Sequence, residues 1–373
     1  MRNPFNYLQF AKGDQFYDRR EILSDLRSRF LSGQTNVVLY GPRRYGKSSL
    51  VAELAEQLEK DGFICISFDM VKMATLNLFA EAYATKIYHR LASIRSGVRQ
   101  VADFFKSLRP KLSIGADGNA SFSFDSTTSE MGPEELSELL DLPQRLSGGK
   151  RILIVMDEFQ EVEALLPNCG FERVMRSVIQ NHRNVSYVFL GSRYHLLRRM
   201  FTDHGRPFYK SALTMLLDKP PVEESEAFVI SRFESAGLAI SQEAAHLLVA
   251  KIANIPYYIQ QLGFEVFRFA DEAGHGEATC ADVEAAYARL SGFNKDQYEQ
   301  AMLSFSKAQK KILIALARET TDEFDAKYRS RHDLGASSTV NSAKKKLLED
   351  GYIEQSGGVC QISDPFFAEY LRN

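Results

Sequence analysis

The sequence predicts an α/β fold: a parallel sheet with helices on both faces, then a helical lid, then a terminal module of three helices and a β hairpin. Three observations predict it. The runs Asn36–Tyr40, Ile152–Met156 and Ser186–Leu190 are continuously apolar or nearly so, of strand length, and set between helical patterns. Buried strands alternating with helices make a parallel sheet covered on both faces. A Gly/Arg-rich turn follows the first run and opens a helix, and after about Leu217 the strand-like runs give way to helical periodicity.

In chain order, Arg20–Leu31 is amphipathic, with Ile22, Leu23, Leu26, Phe30 and Leu31 at helical spacing. A helix from about Lys47 to Lys60 follows the turn, and Phe63–Phe68 reads as a second buried strand. The region from about 75 to 150 is less regular and is expected to be an insertion in the core domain. Within it, Leu78–Leu91 is helical, Leu112–Phe124 suggests a hairpin around Asp117-Gly118-Asn119, and Glu134–Leu142 is a helix that Pro143 should stop. Pro220-Pro221 marks a boundary, followed by helices at Glu224–Ala236, Gln242–Ala253, Tyr257–Ala273 and Ala281–Leu290. From about Leu303, three helical patterns lead to Tyr352-Ile353, Gly357-Gly358 and Cys360-Gln361-Ile362, the order of a winged helix-turn-helix. The expected domains are therefore 1–217, 218–300 and 301–373.

Bulk properties narrow the function classes. The chain has 373 residues, 45% hydrophobic and 25% charged, with a formal net charge of −2. No global positive field draws it to nucleic acid, so any such contact must come from a local patch. The cysteines, Cys65, Cys169, Cys280 and Cys360, form no CxxC pair. That excludes the usual zinc spacings and fits a reducing cytoplasm. The start, Met1-Arg2-Asn3-Pro4-Phe5, leads into no apolar stretch, and no run approaches the ~18 apolar residues that span a bilayer. A cytoplasmic location is expected.

The chemistry concentrates in Gly41-Pro42-Arg43-Arg44-Tyr45-Gly46-Lys47-Ser48, with Ser49 beyond it. This is a P-loop pattern. Glycines at both ends let the backbone wrap phosphate oxygens, and the helix that follows adds the positive end of its dipole. Lys47 is placed for the β and γ phosphates and Ser48 for Mg²⁺. The alternative is a glycine-rich turn with a solvated lysine. A strand ending in acid should lie beside the P-loop strand, and Ile152–Met156, running into Asp157-Glu158, is expected to supply it. Asp157 is placed to hold Mg²⁺, usually through water, and Glu158 to act as general base on an attacking water. A strand ending in a solvated charged turn is the bland reading. After Ser186–Leu190 come Gly191-Ser192-Arg193, and Ser192 is a candidate for the γ phosphate or the attacking water; capping the next helix is its structural alternative.

These residues resemble the archaeal-type ATPase family, a branch of the STAND class within the AAA+-like P-loop ATPases. The resemblance covers nearly the whole chain. It rests on GPRRYGKSSL at 41–50, IVMDEFQEV at 154–162, FLGSRYHLL at 189–197, NIPYYIQQLG at 254–263 and ISDPFFAEYL at 362–371. It implies a P-loop NTPase core of five parallel strands, a helical lid, a C-terminal winged helix, and ATP/ADP with Mg²⁺ as cofactors. It also implies that the segment around Tyr17 borders the adenine and that the lid proline, here Pro256, touches the base. Asn254 stands where related chains usually carry glycine, two residues before that proline. Lys210-Ser211 stands where they often carry Gly-Arg; that arginine is a candidate γ-phosphate contact, and Lys210 or Arg206 is a weak substitute for it.

The expected function is an ATP-hydrolysing switch whose nucleotide state controls a winged-helix surface for DNA or a protein partner. In that module Ser337–Leu348 holds the recognition position, with Ser337, Ser338, Thr339 and Asn341 first and Lys344-Lys345-Lys346 after. Short polar residues reach base edges and lysines reach phosphates. Interleaved Asp322, Glu323, Asp325 and Asp333 argue instead for packing or protein contact. A non-enzymatic, nucleotide-stabilised interaction module is the alternative. A P-loop kinase is disfavoured, because Glu after Asp suits water activation better than transfer to a bound acceptor.

Overall fold

The apolar runs become the centre of a five-stranded parallel sheet. The structure, a computed structural model, describes residues 2–8, 19–33, 35–91, 111–114, 120–123, 131–165, 170–322, 324–356 and 358–372. They fall into two compact units. One comprises Glu21–Gly41 and Leu50–Leu216; the other comprises Met1–Arg20, Pro42–Ser49 and Leu217–Asn373.

The first unit carries the sheet. Helix α1 (Arg20–Ser32) leads to β1 (Asn36–Tyr40), then α2 (Lys47–Lys60), β2 (Ile64–Asp69) and α3 (Leu76–Leu91). A hairpin of β3 (Lys111–Ile114) and β4 (Ala120–Ser123) and helix α4 (Pro133–Leu146) follow. The tip of that hairpin, with Asp117-Gly118-Asn119, lies outside the described residues. Then come β5 (Ile152–Asp157), α5 (Gly170–Ile179), β6 (Val185–Gly191), α6 (Tyr194–Thr202) and β7 (Leu213–Leu216). The sheet order is β2-β5-β6-β1-β7, so the acid-tipped β5 is not beside β1 as expected: β6 pairs with both and lies between them. All four pairings are parallel. Every residue of β6 and all but the last of β5 are buried, as central strands covered on both faces must be.

Two further expectations fail in this unit. Helix α4 does not stop at Pro143 but runs on to Leu146. Proline removes one backbone donor, yet Leu142, Pro143 and Leu146 are all buried, so the apolar face continues through the last turn and outweighs that loss. β7, absent from the element-by-element reading, is an edge strand of four residues with Leu213 and Leu216 exposed, so it shows no buried run.

The second unit is mainly helical. Its helices are α7 (Val222–Ser235), α8 (Gln242–Lys251), α9 (Pro256–Ala273), α10 (Cys280–Phe293) and α11 (Lys295–Ser304). Strand character does not end at Leu217: β8 (Ala239–Ile240) and β9 (Glu277–Ala278) form a two-residue parallel pair, too short to leave a periodic signal. The terminal module is α12 (Lys307–Arg318), α13 (Ala326–Arg331), α14 (Ser337–Glu349), β10 (Ile353–Ser356), β11 (Val359–Ile362) and α15 (Pro365–Arg372). β10 and β11 pair antiparallel from Ile353↔Ile362 to Ser356↔Val359. Gly358 in the turn has φ +87°, a conformation glycine adopts without penalty. Among the described residues no helix is long and apolar enough to cross a membrane.

Candidate functional site

The site is built from strand ends. The registers Tyr40↔Gly191 and Met156↔Phe189 bring the C-terminal ends of β1, β6 and β5 to one edge of the sheet. Gly41 continues β1 and Ser192 continues β6 from that edge, and Asp157 closes β5 there. This is where open α/β sheets bind their ligands.

The phosphate loop leaves β1 and enters α2. Gly46 has φ +86° with nothing near the position of a Cβ, so the backbone conformation, not crowding, requires glycine. Arg44 takes φ +69°, uncommon for a side-chain-bearing residue. The first turn of α2 carries no acid, so its amide end remains electropositive. Lys47 is buried, and its ammonium donates to the Pro42 carbonyl of the same loop at 2.6 Å. Ser48 and Ser49 follow in the first turn of α2, half-buried.

The acidic tip is equally ordered. Asp157 Oδ1 accepts from the Glu158 amide at 2.9 Å. Glu158 sits in the left-handed region, φ 52° and ψ 44°. Its Oε2 accepts from Gln160 Nε2 at 2.6 Å, from the Ser192 amide at 3.2 Å and from Ser192 Oγ at 3.0 Å. Ser192 is therefore brought to Glu158, across 34 residues of sequence. It does not cap the next helix, whose N-cap is Arg193. Gly191 makes room for this arrangement: a Cβ there would lie 2.3 Å from Gln160 Oε1 and 2.9 Å from Leu197 Cδ2. Gln160 and Gly191 were not among the residues expected at the site. The run DEFQ did point to Gln160, but nothing local marks Gly191.

Tyr17 lies outside the described residues. Pro256 is the first residue of α9, and the next amide, of Tyr257, donates to the Arg44 carbonyl at 3.3 Å. Asn254 takes φ 56° and its Nδ2 donates to the Pro220 carbonyl at 2.7 Å. Asparagine tolerates this backbone better than most residues, so it serves where glycine is usual. Arg206 is committed elsewhere: it pairs with Glu163 at 2.8 Å and with the buried Glu172. To reach a phosphate it would have to give up both pairs. Lys210 is exposed, its ammonium 5.2 Å from the Tyr209 ring centroid.

On α14, Ser337, Ser338, Thr339 and Asn341 are exposed. Lys345 pairs with Glu349 at 3.9 Å and Lys346 with Asp350 at 2.8 Å, while Lys344 lies 5.0 Å from the Phe324 ring centroid. Upstream, Arg331 pairs with Glu319 at 2.6 Å, which holds that carboxylate below its usual range.

A five-stranded parallel sheet, a phosphate loop between β1 and α2, and a terminal winged helix define a P-loop ATPase fold with a winged-helix domain. Residues 28–200 match the family described as "AAA domain", and residues 296–373 match that described as "Probable winged helix domain". No curated protein matches the chain. Among solved structures, the Walker-type ATPase of Pyrococcus abyssi is 18% identical with a TM-score of 0.68, over 99% of this chain and 100% of that one. The ORC2 protein of Aeropyrum pernix, in ADPNP–ADP complexes, is 13% identical with a TM-score of 0.60, over 99% and 96%. The ORC1 protein of the same organism, in complex with DNA, is 15% identical with a TM-score of 0.56, over 99% and 96%. At these identities the likeness is one of fold.

Proposed function

We propose that the chain binds ATP with Mg²⁺ and hydrolyses it slowly, as a switch whose nucleotide state controls the winged-helix surface. The observation that carries this reading is the cradle of Gln160 and Ser192 around Glu158. A carboxylate in a left-handed backbone, held by three donors at a strand tip one strand removed from the phosphate-loop strand, is built for a task rather than left to solvent. The fit to nucleotide rests on the glycine-dependent loop, the buried Lys47 and the acid-free start of α2.

In this reading Lys47 exchanges the Pro42 carbonyl for phosphate oxygens. Ser48 and Asp157 would hold the metal, which supplies charge neutralisation of the phosphates. Glu158 takes the proton of the attacking water, and Ser192 and Gln160 set the direction of its carboxylate. Gly41 to Ser49 wrap the phosphates, and Pro256 and Tyr17 border the base. Lys210-Ser211 replaces the Gly-Arg that related chains often carry and Arg206 is tied to Glu163 and Glu172, so turnover is slow unless a partner supplies a cation. Membership of the STAND class belongs to the same proposal.

The output surface is the exposed start of α14, Ser337 to Lys346, for DNA or a protein partner. Exposed i,i+4 ion pairs contribute only about 0.3–0.5 kcal/mol, so Lys345 and Lys346 are able to exchange Glu349 and Asp350 for phosphates. The fold shared with an ORC1 protein solved with DNA supports the DNA arm. Retention of a duplex that weakens steeply with salt selects DNA; capture of a protein without such dependence selects the other arm.

The central test compares ATP binding and turnover of the intact chain with Lys47→Ala. Binding is expected in the first and at least tenfold weaker binding in the second. Equal affinity in both overturns the reading. Firm binding with turnover no greater than that of Lys47→Ala selects the non-enzymatic interaction module instead, which the commitment of Arg206 favours.

A further inference from the structure

Two adjacent phosphate-loop residues place their side chains on the winged helix. Tyr45 is fully buried, and its hydroxyl donates to Glu354 Oε1 on β10 at 2.5 Å, across 309 residues. The same oxygen accepts from Gln361 Nε2 on β11 at 2.6 Å, and Lys219 Nζ donates to Gln361 Oε1 at 3.3 Å. Arg44 lies over the rings of Tyr257 and Tyr258, 5.1 and 4.8 Å from their centroids. It also pairs with Asp364 at 3.4 Å. Asp364 in turn accepts from the amides of Phe366 and Phe367 at 2.9 and 3.3 Å and so starts α15.

Packing alone does not call for this chemistry. A phenylalanine at 45 against an aliphatic residue at 354 would fill the same space without burying a carboxylate, which is costly even when paired. Burial does push the Glu354 and Asp364 carboxyls above their usual range, against the pull of Tyr45, Gln361, Lys219 and Lys47 at the first and of Arg44 and Tyr298 at the second.

We propose that Tyr45 and Arg44 are positioning residues through which the winged helix holds the phosphate loop in shape, so that moving the wing changes how fast nucleotide leaves. The inference rests on the nucleotide-binding reading above and names its mechanical link. A link between two sites works in both directions. Whatever binds the wing and draws Glu354 off Tyr45 loosens nucleotide, and bound nucleotide tightens the wing.

The experiment follows release of a fluorescent ADP analogue from the full chain by stopped flow, with thermal unfolding as the check on folding. Tyr45→Phe keeps the ring and deletes one donor; Glu354→Ala deletes the acceptor. Each is expected to speed release about tenfold, and the double variant no more than either alone, as for two partners in one bond. Glu354→Gln keeps an acceptor and should return release to within about twofold of the parent rate. Arg44→Gln, at an exposed position that is safe for folding, should speed release about threefold by loss of the Asp364 pair. Unchanged release in a folded Tyr45→Phe, or in Arg44→Gln should the first not fold, overturns the inference while leaving nucleotide binding intact. Failure of the parent chain to hold the analogue any better than Lys47→Ala overturns the binding reading and this inference with it.

Discussion

The phosphate loop and the acidic tip of β5 solve the same problem, holding polar groups in fixed positions, by opposite means. The tip is local to its sheet: Glu158, Gln160, Gly191 and Ser192 lie within 34 residues of one another, at or just past the ends of the paired strands β5 and β6. The loop is held by chemistry from the far end of the chain, Glu354 and Asp364. The difference separates two properties. Changes at the tip should act on turnover and leave affinity alone, whereas changes behind the loop should act on affinity and release.

The largest expected effect breaks the tip. Glu158→Gln removes the proton acceptor and should lower kcat about 100-fold or more with ATP affinity within a few-fold of the parent, read from turnover and equilibrium binding side by side. Undiminished turnover removes Glu158 from its role. Next is Gly191→Ala. Its new Cβ meets Gln160 Oε1 at 2.3 Å and Leu197 at 2.9 Å, so Gln160 must move. A stability loss of about 1–3 kcal/mol in chemical unfolding is expected, together with slower turnover, because Glu158 loses a donor. A Gly191→Ala variant as stable and active as the parent shows that the cradle is slack. Smaller again is Ser192→Ala. The backbone amide still reaches Glu158, so only one of three donors is lost, and kcat should fall no more than about tenfold with binding unchanged.

The loop gives the pH-dependent counterpart. Burial raises the Glu354 carboxyl above its usual range, so the folded state binds the proton more tightly than the unfolded chain. That contribution is fully present below the unfolded pKa and is lost as pH rises through the raised one. The stability of Glu354→Gln relative to the parent should therefore increase from pH 4 to pH 8, measured as unfolding free energy. A difference independent of pH would place the carboxylate in water.

Much of the fold was legible because it is periodic. The buried runs that became β1, β5 and β6, and the helices that follow them, leave signals within a dozen residues. Lys47 and Ser48 in a glycine-bracketed turn before a helix, and Asp157 and Glu158 after an apolar run, were legible as positions in the fold; their roles are proposals. The pieces that escaped have no period. β7 is short and half-exposed; β8 and β9 have two residues each. Pro143 sits in a helix because of the leucines around it, which outweigh a local rule. The Ser192–Glu158 and Tyr45–Glu354 bonds join residues 34 and 309 apart, and the chain between them does not encode the meeting locally. Arg206 illustrates the converse. A cation of suitable type was already paired with two glutamates.

The span between Tyr45 and Glu354 also sets an order of events during synthesis. At about 5–20 residues per second, the wing strand follows the phosphate loop by roughly 15–60 s, since 309 residues separate them. Within that interval the remaining sheet strands, ending at Leu216, are completed while Tyr45 still lacks Glu354. If the wing shapes the loop as proposed, a nascent chain presents its sheet before its nucleotide grip is complete, and tight binding of nucleotide would report that synthesis has passed the wing.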